Sequence, residues 1–281
     1  MDVDILLSNN QLNIFNDCAY KWHLGYVEGW KPKNKRVGAA AGRGIWLHEL
    51  LDVFYKNRKS NDPTIAVKHK AKQMLQGLTQ EQLPLFNHVL TLTLRYIEDY
   101  APTADKYLDV IDTERHFQIP LESPNGVKYQ LQGYIDAIVF DTLQQQTYVL
   151  DHKSVGNKKS FWSERQILMD PQLPMYAAAL RVLGYEIHGI ILNFINAYEY
   201  KSPRPPSDLF HREYDVRSPA HIDSVLDEVG RAVDEMADPR PKRKSLSKNC
   251  AYCDFQRVCE MELKGITPLP YLKQNFDKEK K

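Results

Sequence analysis

Two periods of apolar and polar residues run along this chain of 281 residues, and the change from one to the other divides it. Leu12, Phe15, Ala19, Trp22 and Tyr26 recur at helical spacing, which predicts a helix over 11–26 with Ser8 as its N-cap. Ala39 to Tyr55 reads as a second helix, with Ile45, Leu47, Leu50, Leu51 and Phe54 on its apolar side. Residues 63–77 and 80–101 read as two more. After Tyr107 the period becomes two. Val110 to Leu121 and Val127 to Phe140 alternate as strands, and Ser123 to Gly126 (SPNG) between them predicts a hairpin turn. Gln146 to Leu150 is a short strand ending at Asp151. Pro171 to Leu183 predicts a helix, Glu186 to Tyr198 a strand, and 218–237 a last long helix, after a proline-rich loop at 201–208. The charged terminus reads as frayed. The order predicts an α/β fold: a mixed sheet flanked by helices, with an all-helical N-terminal portion. One domain over 1–281 is expected, with helices to about 105, a core over about 106–237, and a cysteine-bearing segment over about 238–265.

Composition narrows the class. Hydrophobic residues make up 43% and charged residues 26%, as in soluble globular proteins. No stretch approaches the roughly 18 apolar residues of a membrane span, so no membrane partner is expected. The start, MDVDILLSNN, has no apolar run with basic flanks, so secretion is not expected and a cytoplasmic location is. With 37 basic against 36 acidic residues, net charge gives no argument for nucleic acid. Such a surface has to come from local patches. Four exist: Lys31 to Arg36, Lys153 to Lys159, Lys201 to Arg204 and Arg240 to Lys248. Taken singly, each reads as a solvated face.

The candidate chemistry begins with two acids. Asp136 ends Gly133-Tyr134-Ile135-Asp136, and Asp151 opens Asp151-His152-Lys153 directly after an apolar strand. If these strands pair as a hairpin, both carboxylates converge on one hard cation such as Mg²⁺ or Mn²⁺. Lys153, two residues on, points to the same face as Asp151. It can hold an attacking water or stabilise charge at a phosphate, the minimum for metal-assisted phosphodiester hydrolysis. Asp-x-Lys alone is common; its company gives it weight.

In that company the chain resembles the RecB-like branch of the PD-(D/E)xK nucleases, a group with CRISPR-associated RecB-like exonucleases, AddB-type nuclease domains and phage exonucleases. The resemblance runs from about Leu6 to Cys259. It rests on Gly133 to Asp136, on Asp151 to Lys153, on Gly42-Arg43-Gly44-Ile45-Trp46-Leu47-His48, and on Gln172 to Tyr176. It implies a restriction-endonuclease-like fold. It also implies His48, Asp136, Asp151 and the main-chain carbonyl of His152 as metal ligands, and Lys153 as the catalytic lysine. Gln172 and Tyr176, one helical turn apart, would support Lys153 and touch the strand being cut. Glu114 stands where many relatives carry a glutamate, with a less defined role. The second acid is Asp where Glu is more frequent, and Cys18 is followed by Ala19 where relatives have proline.

Four cysteines complete the reading: Cys18 on the first predicted helix, and Cys250, Cys253 and Cys259 spaced C-x2-C-x5-C. The spacing argues for a metal site rather than disulfides. A Cys₄ zinc site more often uses paired C-x2-C knuckles but stays open. The same resemblance implies a structural [4Fe–4S] cluster joining the first helix to the tail. No G-x-x-x-x-G-K-[ST] pattern is present, so the chain shows no helicase motor. The function implied is a Mg/Mn-dependent exonuclease favouring single-stranded DNA, in repair, recombination or CRISPR adaptation, with room for a helicase or recombination partner. Trp162, Tyr176 and Tyr134 could stack on unpaired bases. The alternative is a catalytically silent or zinc-stabilised DNA-binding module of the same fold.

Overall fold

A computed structural model describes residues 5–33 and 39–279. In chain order the first elements are β1 (Ile5–Leu7), α1 (Asn9–Asp17), α2 (Ala19–Trp22), β2 (Trp30–Pro32), α3 (Ala39–Lys56), α4 (Pro63–Leu75), α5 (Leu83–Arg95) and α6 (Ala101–Ala104). The middle holds β3 (Leu108–Glu122), β4 (Lys128–Asp141), β5 (Gln146–Val155), α7 (Glu164–Leu168), α8 (Gln172–Val182) and β6 (Gly189–Asn196). Last come α9 (Pro206–Leu209), β7 (Phe210–Asp215), α10 (Pro219–Ala237), α11 (Gln256–Leu263), α12 (Leu269–Asn275) and β8 (Phe276–Lys278). The chain divides into two units. Met1–Arg36, Pro120–Leu131 and Asp227–Lys281 form one; Val37–Ile119 and Gln132–Leu226 form the other.

The second unit carries a mixed sheet. β4 pairs with β3 and, antiparallel, with β5; β5 runs parallel to β6, and β6 antiparallel to β7. Every residue of β6 is buried, as expected of a central strand covered on both faces. On one face α3, α4 and α5 bury Leu47, Leu50, Phe54, Val67 and Phe86 against Val139, Leu150 and Ile191. Alternation turns Asp151 and Lys153 to the opposite face, where α8 lies. α4 begins at an Asp62 cap with Pro63 in its first turn. The expected hairpin turn is present in the first unit: Gly126, at φ 81°, donates its N–H to Ser123 O at 3.0 Å. The mixed sheet flanked by helices is the architecture that the residue pattern predicts.

Several elements differ from expectation. The helix expected over 11–26 breaks at Cys18, whose backbone is extended (φ −161°, ψ 107°). The break has a cause within the first unit: residues 243–245 dock there, with Tyr20 N–H donating to Arg243 O at 3.1 Å and Ser245 N–H meeting Cys18 Sγ at 3.5 Å. β5 runs on to Val155, four residues beyond Asp151, because β6 continues to pair with it. β7 is a strand that the residue pattern does not predict; its sequence, FHREYD, has the polar character of an edge. The terminus is ordered, not frayed, through Glu279. There β8 pairs antiparallel with β2, and Phe276 stacks on Phe255 at 5.0 Å in a small core with Leu24, Trp30 and Leu272. The basic segment at Lys31 to Arg36 is therefore strand at its start, and residues 34–36 lie outside the described ones.

One close approach sets a stability test. A Cβ on Gly189 would stand 2.6 Å from the backbone oxygen of Asp215 and 3.2 Å from the Tyr148 ring. Both belong to strands that flank β6 and cannot retreat. Gly189→Ala should cost about 1–3 kcal/mol through overpacking. Thermal unfolding should then show a midpoint lower by roughly 3–10 °C; an unchanged midpoint contradicts the close fit.

Candidate metal and catalytic site

The site is built where β4 and β5 part. Their antiparallel register ends at Ala137 opposite Leu150. Asp136 and Asp151 are the next residues, so the last rung of the ladder delivers both acids side by side. With the strands diverging, the Asp136 side chain takes the place of a ladder partner: its Oδ2 accepts the N–H of His152 at 2.7 Å. Its Oδ1 accepts from His48 Nδ1 of α3 at 3.2 Å. Burial would raise the Asp136 carboxyl, but the charge and hydrogen bond of His48, together with His152, hold it below the usual range. Conversely, burial lowers the His48 imidazole, yet Asp136 outweighs it and carries it to about 9.

Asp151 is 1% exposed. Burial raises its carboxyl, Lys153 opposes that, and the neighbouring Asp136 adds to it. Lys153 Nζ lies 2.8 Å from Asp151 Oδ2 and donates to Gln172 Oε1 at 2.7 Å. Burial lowers the ammonium, but Asp151 more than compensates, so it stays charged. Gln172 in turn hydrogen-bonds the Tyr176 hydroxyl. The start of α8 is fixed by Asp170, whose carboxylate accepts Gln172 N–H at 2.8 Å.

Glu114 joins the group in a way that its sequence context does not reveal. It has φ 48°, a left-handed value unusual for glutamate. Around it the in-and-out alternation of β3 changes phase, as an extra residue in a strand would cause. The result is that ligand atoms of His48, Glu114 and Asp136 all lie within 4.8 Å of one another. Burial and then Asp136 raise the Glu114 carboxyl.

The structure therefore brings His48, Glu114, Asp136, Asp151, Lys153, Gln172 and Tyr176 into one neighbourhood. His152 contributes its backbone, while its ring is turned into the core with its pKa lowered by burial to about 3. Among the three aromatic residues considered for stacking, Tyr176 is only 6% exposed and is occupied with Gln172. Its ring is thus not open to a base. Tyr134 is exposed, and Trp162 lies with its ring 5.6 Å from Lys153 Nζ.

Beneath the site is a buried network that no sequence motif announces. Asn193 Nδ2 donates to His152 Nδ1 at 3.0 Å, and Asn193 Oδ1 accepts from Arg212 at 3.3 Å. Arg212 pairs with Asp105 at 2.7 Å, and Tyr55 donates to the same carboxylate at 3.1 Å. These residues are far apart in sequence and carry no local pattern.

In the first unit, a cavity of about 200 Å³ is lined by Cys18, Cys250, Cys253 and Cys259. None is in a disulfide. Burial raises Cys253, and raises Cys259 to about 11. Nearby basic residues are tied locally: Lys244 pairs with Glu262 at 2.8 Å, and Arg240 with Asp238.

A family model described as the PD-(D/E)XK nuclease superfamily matches residues 6–260. The chain is 25% identical over 207 residues to an ATP-dependent helicase/deoxyribonuclease subunit of Clostridium perfringens strain SM101, covering 63% of this chain and 17% of that one. The same protein from strain ATCC 13124 is 24% identical over the same shares. The chain thus spans under a fifth of the length of these relatives. A solved structure from Eubacterium rectale, given as a candidate exonuclease, superposes with a TM-score of 0.54 at 12% identity, covering 88% of this chain and 87% of that one, which speaks to the fold.

The buried network gives a second stability test. Asp105→Ala leaves the Arg212 guanidinium, 5% exposed, without its counter-charge and should cost about 3–5 kcal/mol. Arg231→Ala breaks the exposed pair with Asp227 and should leave stability close to that of the wild type, because solvent screens such a pair. Denaturant titration of both variants reads the contrast; equal losses would refute it.

Proposed function

Since the chain belongs to the PD-(D/E)XK nuclease superfamily, we propose that it is a divalent-metal-dependent deoxyribonuclease that trims DNA from free ends, with a preference for single strands. The carrying observation is the convergence of His48, Glu114 and Asp136 beside the buried Asp151–Lys153 pair. The donor set fits a hard cation. Carboxylate oxygens dominate it, and the one imidazole favours Mn²⁺ over Mg²⁺. The electrostatics support this: three acids face two protein cations, and Glu114 and Asp151 are both raised. His48, Glu114, Asp136 and Asp151 would hold the ion, with the main-chain carbonyl of His152.

When bound, such a cation neutralises charge on the scissile phosphate and makes water acidic enough to attack at neutral pH. The protein's own groups do the rest. Asp151 keeps Lys153 protonated, so Nζ can donate to the attacking water or to a phosphate oxygen. Gln172 accepts one Nζ hydrogen and fixes the direction of the others, and Tyr176 holds Gln172. His48 has to release a proton to serve as a donor atom, so metal binding and proton release are linked there. Tyr134 and Trp162 offer rings to unpaired bases. The helicase/deoxyribonuclease relatives support a DNA substrate and a helicase partner; a place in repair, recombination or CRISPR adaptation is what the family resemblance implies.

The four cysteines are assigned to one [4Fe–4S] cluster with a structural role. Their shared cavity supports this, and so does the C-x2-C-x5-C spacing with the distant Cys18. The raised Cys253 and Cys259 thiols would give up their protons on binding.

With Mg²⁺ or Mn²⁺ and end-labelled single-stranded DNA, Lys153→Ala, Asp136→Ala and Asp151→Ala should each lose at least about a hundredfold in cleavage rate. Near wild-type cleavage by any of them would sink the assignment. Anaerobically purified Cys18→Ala and Cys253→Ala should both lose iron and become protease-sensitive at the tail. Full iron content in Cys18→Ala would remove the N-terminal cysteine from the site.

A further inference from the structure

The basic run Lys201 to Arg204 has no part in the chemistry above, yet the structure gives it a definite setting. A cleft of about 300 Å³ lies where β6 ends, lined by Arg95, Tyr198, Tyr200, Lys201 and Arg204 among others. Its wall is built rather than loose. Asn196, fully buried, donates to the Tyr200 hydroxyl at 2.8 Å and to Asp208 O at 2.9 Å, and its own oxygen accepts Tyr198 N–H at 3.1 Å. From α5, Arg95 donates to Arg204 O at 2.9 Å, and His88 Nε2 meets Ala197 O at 3.3 Å. The loop after β6 is thereby held at several points.

Its surface chemistry is that of a strand-binding groove. Tyr198 is 51% exposed and stands edge-on to Tyr200, with ring centroids 4.8 Å apart. The Arg204 guanidinium covers the Tyr200 ring at 4.6 Å. Arg95 is neutralised by Asp99. Among the described residues, neither Lys201 nor Arg204 has a carboxylate within ion-pair distance. An open ring beside two uncompensated cations matches a base and its flanking phosphates. The cleft also lies at the C-terminal end of the parallel β5–β6 pair, where ligands gather in open α/β sheets. Lys153 pairs in register with Phe194, and Asn196 is two residues further, roughly 7 Å along the strand.

We propose that this cleft seats a stretch of single-stranded nucleic acid beyond the cutting site, with a base on Tyr198 and phosphates on Lys201 and Arg204. The proposal rests on the nuclease reading for its biological sense, but its test does not depend on cleavage. Binding of a fluorescein-labelled thymidine oligomer is followed by polarisation without divalent metal, in the full chain. Tyr198→Ala should weaken binding about tenfold, and Tyr198→Phe should restore it. Lys201→Ala and Arg204→Ala should each reduce the slope of log affinity against log salt by about 0.7. Thermal midpoints establish that all variants fold. If Tyr198→Ala binds as tightly as wild type, or the salt slopes do not change, the cleft proposal falls even in an enzyme that cuts DNA. If the chain cuts no DNA yet these shifts appear, the cleft stands and the nuclease reading falls. If thymidine monophosphate displaces the oligomer at the oligomer's own affinity, the cleft takes a free nucleotide and the strand proposal is overturned.

Discussion

Two carboxylates held side by side in a water-poor setting form the constraint around which the second unit is arranged. Asp136 and Asp151 are delivered together because the β4–β5 ladder ends one residue before them. Left alone, two buried acids at that spacing would keep a proton between them. The surroundings prevent this unequally. Asp136 receives a backbone N–H and an imidazolium and remains ionised. Asp151 has Lys153 beside it and His48 further off, yet burial and Asp136 outweigh them and raise its carboxyl. The asymmetry gives the pair a strong and a weak member and leaves a deficit of positive charge.

Much of this is legible in the sequence because its causes are local. Period-two alternation fixes which strand positions share a face, so Asp151 and Lys153 have to point the same way. The spacing from Gln172 to Tyr176 is one helical turn, and the two side chains do meet. What escapes has non-local causes. Asp105, just after α6, joins Asn193 of β6 and Arg212 of β7 in a buried network, and none sits in a recognisable pattern. β7 escapes because an edge strand lacks the apolar run of a central one. The ordered terminus escapes because its lysines and acids outnumber the few residues, Leu272 and Phe276, that anchor it.

The first unit follows a different logic. Its ends are brought together by short pieces: β2 with β8, Tyr20 with Glu262 at 2.6 Å, and residues 243–245 at the Cys18 break. The small core around Phe255 and Trp30 has few large side chains. A unit of this kind gains much from any bond that closes a long loop, because that cost falls on the unfolded chain. The four cysteines line one cavity in the midst of these contacts, so the metal group proposed there would reinforce joins that the backbone already makes.

Glu114 carries a final consequence. Its backbone sits where glycine or asparagine would be at ease and glutamate is not, at a standing expense on the order of 1 kcal/mol. Neither core packing nor local turn chemistry calls for glutamate there, since the side chain is only half-buried. Selection for stability by itself would drift this position towards a smaller residue. That expense accords with the ligand role proposed for Glu114, whose carboxylate stands within 4.8 Å of the ligand atoms of His48 and Asp136.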